Sequence, residues 1–560
     1  MRDLKELTGY DIITEEKIPE VNGTGYILSH KKTKARVLVI ANDDENKVFN
    51  IGFRTPPYDD SGIPHILEHS VLCGSRKYPV KDPFVELAKG SLNTFLNAMT
   101  YSDKTVYPIA SCNEKDFENL MDVYLDAVFY PNIYEHTEIM RQEGWHYELE
   151  TVEGELIYNG VVFNEMKGAF SSPEQQMYSK IEKLLLADTP YKNESGGDPA
   201  AIPTLSQERF LDFHRKYYHP SNSYIYLYGD LDMYKELDYI DKEYLSSFDY
   251  REIDSTIAVQ TAYEQMKDES CFYSIAENES EENQTFLTYN MVVGSSLDKK
   301  QSVAMNILEY AIMDAPGAPL KKALVDAGIG EDVFASFDDG IRQTIFTIVA
   351  RNANMSDKEH FVSVIRDTLT DLSGHGEEGK AIDRTSIEAA INNFEFKHKE
   401  ANFGRFPKGL MMGLDAFNTW LYDDASALEM FKLNEVYDEL KESLKTGYFE
   451  ELIWEKLVQN TFGMIFVMKP KKGLDKENDA AEKQKLADYK ASLTKNELEQ
   501  VVSDTKELKL YQETPSPAED MEKVPLLNIS DIRKEIHPLK NREDSIYGMP
   551  VSYTHLRAHE

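Results

Sequence analysis

The segment KVFNIGFRTPPYDDSGIPHILEHSV, beginning at Lys47, lays without a gap over TYNMVVGSSLDKKQSVAMNILEYAI, beginning at Thr288. Each reads as a strand, a turn and a helix: β-branched and aromatic residues give way to turn-formers, then to apolar residues at helical spacing. Farther on, DPFVELAKG is echoed by APLKKALVDAG. A chain that repeats such a unit is constrained to build two copies of one domain, and 560 residues are too many for a single core. The copies are expected at 1–250 and 251–470. They differ where it matters chemically, because His65 falls on Asn306, Glu68 on Glu309 and His69 on Tyr310.

Local patterns give the fold class. ARVLVIAND and KVFNIGFRTP read as strands joined by the turn-forming NDDEN, helices follow near Ile63–Leu72 and Pro83–Lys89, and TFLNAMTYSDKTVYPIAS is a strand pair turning near Ser102 and Asp103. The expectation is an α+β protein: two homologous α/β sandwich domains with largely antiparallel sheets, followed by a helical hairpin linker at 471–520. That linker is highly charged and helix-prone, carries a capping-box pattern at Thr494 and Glu497, and ends at Pro515 and Pro517. Residues 521–550 read as the start of a truncated third domain. The last ten, 551–560, do not continue the preceding pattern and are expected to be a non-native tail.

Composition narrows the class of partner. With 41% hydrophobic residues there is material for a packed interior, and no apolar run reaches the length of a membrane helix. The net charge of −37 repels a phosphate backbone or an anionic membrane at long range, so neither nucleic acid nor membrane is expected as a partner. Cys73, Cys112 and Cys271 are odd in number and widely spaced, which argues for a reducing compartment. Together with a start that lacks signal or transit character, this predicts a cytoplasmic location.

The chemistry sits in PHILEHSVLCG. On a helix His65 and His69, at i and i+4, share a face and can form two legs of a zinc site. Glu68 projects from the neighbouring edge of that face, where a carboxylate can take a proton from water without itself ligating the metal. Catalytic zinc usually takes a third protein ligand. Cys73 is a candidate, but Gly74 is expected to end the helix first. Glu143 and His146 in RQEGWHYELE are alternatives in polar surroundings that permit ordinary solvation. Glu165 in GVVFNEMKGAF is preferred, because Val161, Val162 and Ala169 place it on an apolar face, a costly position unless a cation meets it.

At these residues the sequence resembles the pitrilysin and insulin-degrading family of zinc peptidases, the H-x-x-E-H inverzincins, and most closely their presequence protease branch. The resemblance runs from about Tyr10 through Leu539, carried by PHILEHSVLCGSRKYPVKDPFVELAKGSLNTFLNAMTYSDKTVYP and GVVFNEMKGAF. It implies one Zn²⁺ per chain held by His65, His69 and Glu165, with Glu68 activating water. It also implies that Asn97 and Ala98 lie on a substrate-binding edge strand, where an unfolded peptide can pair as an added strand. Two halves of paired domains would then close a chamber around unfolded peptides. The family's second half is missing here, so the expectation is a zinc metalloendopeptidase of short unstructured peptides present as an N-terminal fragment of low activity. The alternative is a non-catalytic peptide-binding or chamber subunit of a two-part peptidase.

Overall fold

A computed structural model describes residues 2–377, 379, 381–535 and 542–553. Its strands are β1 (Tyr10–Ile18), β2 (Gly23–His30), β3 (Arg36–Ala41), β4 (Lys47–Arg54), β5 (Asn93–Leu96), β6 (Met99–Thr100), β7 (Lys104–Ser111), β8 (His146–Glu148), β9 (Ile157–Asn159) and β10 (Ser223–Gly229), then β11 (Lys267–Ile275), β12 (Thr285–Ser295), β13 (Asp332–Asp338), β14 (Gln343–Ala353) and β15 (Gly463–Lys472). Among the described residues one sheet runs β1-β2-β3-β10-β4-β7-β5, with β6 also pairing β7, and a second runs β11-β15-β12-β14-β13. With β1 and β2 set aside, the two follow one plan. In each, the strand latest in sequence enters second, parallel to one neighbour (β10 to β3, β15 to β11) and antiparallel to the other (β4, β12). The remaining ladders are antiparallel, so the fold is α+β with largely antiparallel sheets. The strands joined by NDDEN, β3 and β4, are therefore not partners, because β10 lies between them.

Each sheet buries one face under its own helices. Phe49, Ile51 and Phe53 of β4 meet Ile66 and Leu67 of the helix Ile63–Val71 and Leu120 and Tyr124 of Glu114–Phe129. In the second sheet Tyr289 and Met291 of β12 lie in one core with Met305 and Leu308 of Lys299–Glu309.

The opposite faces are covered by exchange. Tyr224, Tyr226 and Tyr228 of β10 are buried against Leu410, Phe417 and Trp420 of the helix Lys408–Trp420, which belongs by sequence to the second half. Gly413 lets that helix close in, since a Cβ there would stand 2.3 Å from the Tyr226 ring. Reciprocally, Met177, Ile181 and Leu185 of Pro173–Leu185 are buried against Phe286, Val349 and Phe466 of the second sheet.

After β15 come the helices Leu474–Ser492 and Lys495–Glu513. Thr494 Oγ1 accepts from Glu497 N, and the Glu497 carboxylate accepts from Thr494 N at 2.7 Å, which closes the capping box. The hairpin rests on the β8–β9 ribbon, where Leu486 packs with Leu149 and Leu156 and Thr505 Oγ1 accepts from Leu149 N at 3.0 Å. The segment read as opening a third domain behaves otherwise up to residue 535. Val524 joins the first core, and Asn119 and Asn113 donate to the carbonyls of Pro525 (3.0 Å) and Asp531 (2.7 Å). Arg542–Ile546 pairs only with Met549–Tyr553 among the described residues. Most of the stretch expected to be a non-native tail, 554–560, lies outside the described residues.

Candidate metal centre

The helix that carries His65, Glu68 and His69 starts at Gly62, whose φ of +69° is a left-handed conformation that favours glycine. Pro64 occupies the first turn, where its missing N–H costs nothing. A Cβ on Gly62 would stand 2.7 Å from Gly196 O. This close approach lets the 193–198 loop cross the helix start, pinned by Asn193 Nδ2 to Pro57 O (3.0 Å), Glu194 N to Asp60 Oδ1 (2.7 Å) and Asp198 N to Asp60 O (2.8 Å). The consequence is local: Gly196 O lies 3.0 Å from His65 Nδ1.

The second histidine is oriented by Glu143, from the helix Thr137–Glu143, whose Oε2 lies 3.3 Å from His69 Nδ1. With both Nδ1 atoms donating to fixed acceptors, both Nε2 atoms keep their lone pairs. These face one carboxylate. His65 Nε2 is 3.9 Å from Glu165 Oε1 and His69 Nε2 is 3.7 Å from Glu165 Oε2, separations beyond a hydrogen bond. His65, His69 and Glu165 each offer one donor atom, all within 4.8 Å of one another, and no other such group of three occurs among the described residues. Two imidazoles and a carboxylate form a His₂Glu donor set, which zinc takes with a fourth position open.

Two premises of the sequence reading change. Glu165 is not on a buried apolar face: its side chain is 52% exposed and Val161 beside it is 44% exposed, while Val162 alone faces the core. Glu143 is not ordinarily solvated but buried. Burial raises the Glu143 pKa, and the hydrogen bonds from His69 and Gln142 outweigh that and lower it. Burial likewise lowers the His69 pKa, but the carboxylates of Glu143, Glu68 and Glu165 prevail and raise it. Cys73 stays apart, its Sγ donating to His69 O at 3.5 Å, and His146 Nδ1 pairs with Arg141 O at 2.7 Å. Sequence reasoning missed the orienting role of Glu143 and had no signal at all for Gly196, because a backbone acceptor carries no residue type.

Glu68 is buried and, with His65, Glu165 and Ala98, lines a cavity of about 530 Å³. Ala98 and the exposed Asn97 interrupt the edge of the sheet between β5 and β6, with Asn97 N donating to Pro108 O at 3.4 Å. The cavity is acidic, and burial, then the nearby Asp338, push Glu182 on its wall up to about 8.

Known proteins place this geometry. Residues 48–179 match Insulinase (Peptidase family M16) and 204–394 match the Peptidase M16 inactive domain. Residues 468–558 match the associated region of Peptidase M16, subgroup C, a match that runs into the 551–560 stretch. The chain is 48% identical to Protein HypA of Clostridium perfringens, over 97% of this chain and 55% of that protein. It is 40% identical to Presequence protease 1, chloroplastic/mitochondrial, of Arabidopsis thaliana, over 98% of this chain and 51% of that one. It thus spans about half the length of the curated relatives it matches. Among solved structures, a protease from Helicobacter pylori superposes with a TM-score of 0.58 at 16% identity, covering 80% of this chain and 100% of that one. Pitrilysin superposes at 0.55 and 18% identity, over 86% of this chain and 50% of its own. No described helix is long and apolar enough to cross a membrane. From the site, the duplicated sheets and the three consecutive sequence matches, the chain belongs to the insulinase family of peptidases, M16.

Proposed function

We propose that this chain carries a zinc-dependent endopeptidase site for short unstructured peptides. The observation that carries the reading is the convergence of both Nε2 atoms on Glu165 while both Nδ1 atoms are anchored. His65, His69 and Glu165 would hold one Zn²⁺. When bound, zinc supplies Lewis acidity that brings the pKa of a water down to about 7. Glu68, in the same cavity but outside the ligand set, takes the proton from the attacking water and passes it to the leaving amine. Such a positioned general base contributes about 10²- to 10⁴-fold in rate.

The interrupted edge at Asn97 and Ala98 offers backbone groups that an extended peptide can pair with, which holds the scissile bond beside Glu68 with little dependence on side-chain identity. The second domain would serve as a wall without metal. In the relatives a comparable length of chain lies beyond the matched half, and a partner half of that kind would complete the enclosure and raise turnover. The free Cys73, Cys112 and Cys271 suit the reducing cytoplasm expected from the sequence. Metal analysis together with cleavage of a quenched-fluorescent peptide, with and without chelator, tests the reading. One zinc per chain and chelator-sensitive cleavage, strengthened by adding a homologous second half, are expected. Zinc bound without any cleavage even with that half present would leave the peptide-binding alternative.

A further inference from the structure

A second cavity, of about 490 Å³, lies where the first sheet, the segment after Tyr244 and the exchanged helix meet. In a chain of net charge −37 it is lined by four cations, Lys34, Arg36, Arg54 and Arg251, against two carboxylates, Asp424 and Glu252. At physiological ionic strength distant charges are screened within about 8 Å, so the local excess of positive charge governs what enters.

The cations are held together at a cost that their neighbours only partly offset. The guanidinium carbons of Arg36 and Arg54 lie 4.7 and 5.7 Å from the centre of the same Tyr224 ring. Arg36 is neutralised by Asp424, Nε to Oδ1 at 2.5 Å. Arg54 donates only to a neutral acceptor, Leu421 O at 3.2 Å, and Arg251 donates to the carbonyls of Arg215 and Lys216. Carbonyls satisfy hydrogen bonds but do not cancel charge. Lys34, in a left-handed turn (φ 61°), makes no ion pair among the described residues. Two further donors at the cavity point the same way: Arg54 Nε and the Nε1 of the fully buried Trp420 have no acceptor in the protein. Guanidinium forks and N–H donors around a positive excess match the oxygens of a phosphate group, and the exposed ring of Tyr250 beside them offers an apolar seat for an ester.

We infer that this cavity binds a phosphate group, free or as a monoester, at the joint between the two domains. This is independent of the metal centre. The test is isothermal titration of the full chain with inorganic phosphate and, separately, phenyl phosphate, at fixed ionic strength with chloride as reference. At least tenfold tighter binding of either phosphate than of chloride is expected; stronger binding of phenyl phosphate assigns the ester, and equal binding assigns the free ion. Lys34→Glu and Arg251→Glu, both at exposed positions, should each weaken binding by about tenfold, the worth of one charge-assisted hydrogen bond. Lys34→Gln, a milder change, should weaken it less and covers the case of a variant that does not fold. Phosphate binding no tighter than chloride, or unchanged in the folded Lys34 variants, overturns the proposal.

Discussion

The helix Ile63–Val71 and its counterpart Lys299–Glu309 occupy equivalent places in two sheets of one plan, yet only the first faces a metal-binding set among the described residues. Where His65 presents Nε2 to Glu165, Asn306 commits its amide to Asp339 Oδ2 (3.0 Å) and Ser302 O (3.2 Å). Where His69 is oriented by Glu143, Tyr310 opens a π-turn and packs edge-on against Phe394. The difference is not two histidines alone. Glu143, Glu165 and Gly196 all come from the stretch between residues 137 and 197, so the first copy recruits a segment outside the repeated strand–turn–helix. Duplication preserved the scaffold, while the chemistry rests on what was laid across it.

The largest effect should come from removing the recruiting pair. A His65→Ala, His69→Ala double variant is expected to fall from one zinc equivalent to none by metal analysis, and zinc that persists would mean that the second domain, or another group, binds it. Next, Glu68→Gln should keep the metal and lose about 10²- to 10⁴-fold in turnover, the worth of a positioned general base; near-normal cleavage would remove it from that role. Glu143→Gln keeps the fold but weakens the anchor on His69, so competition with a chelator should show roughly a 10- to 100-fold loss of zinc affinity, the cost of losing such an outer partner. The smallest effect belongs to the second copy. Burial, then Asp314, raise Glu309 to about 7. A carboxyl raised in the folded state binds protons that the unfolded chain has released, so stability falls as pH rises from about 4.5 to 7. Glu309→Gln should flatten that fall by no more than about 1 kcal/mol once partial solvation is allowed for, measured as denaturant midpoints at pH 5 and 7.

Much of this was legible in the sequence because the repeat and the i, i+4 histidines are local patterns. Strand and helix positions followed from periodicity, and the capping box at Thr494 and Glu497 formed as written. Neighbours did not follow: nothing in SYIYLYG says that it will slip between β3 and β4, and nothing in KGLMMGLDAFNTW says which sheet its apolar stripe will cover. The preference for Glu165 came from an apolar-face argument that the exposed Val161 contradicts. Its place in the site depends on where its helix sits relative to Ile63–Val71, a tertiary fact that a local sequence pattern does not encode.

The exchanged helices decide what can be cut apart. A chain divided near residue 250 would leave Tyr224, Tyr226 and Tyr228 without Leu410, Phe417 and Trp420, and the second sheet without Met177, Ile181 and Leu185. Each such side chain contributes about 1.5–3 kcal/mol when buried, so either fragment would forfeit on the order of 10 kcal/mol, comparable with the whole net stability of an ordinary domain. Neither domain is therefore a portable module. The smallest inheritable unit is the interlocked pair, and any recombination, truncation or transplant that respects the sequence repeat but ignores the interlock would separate each sheet from its own lid.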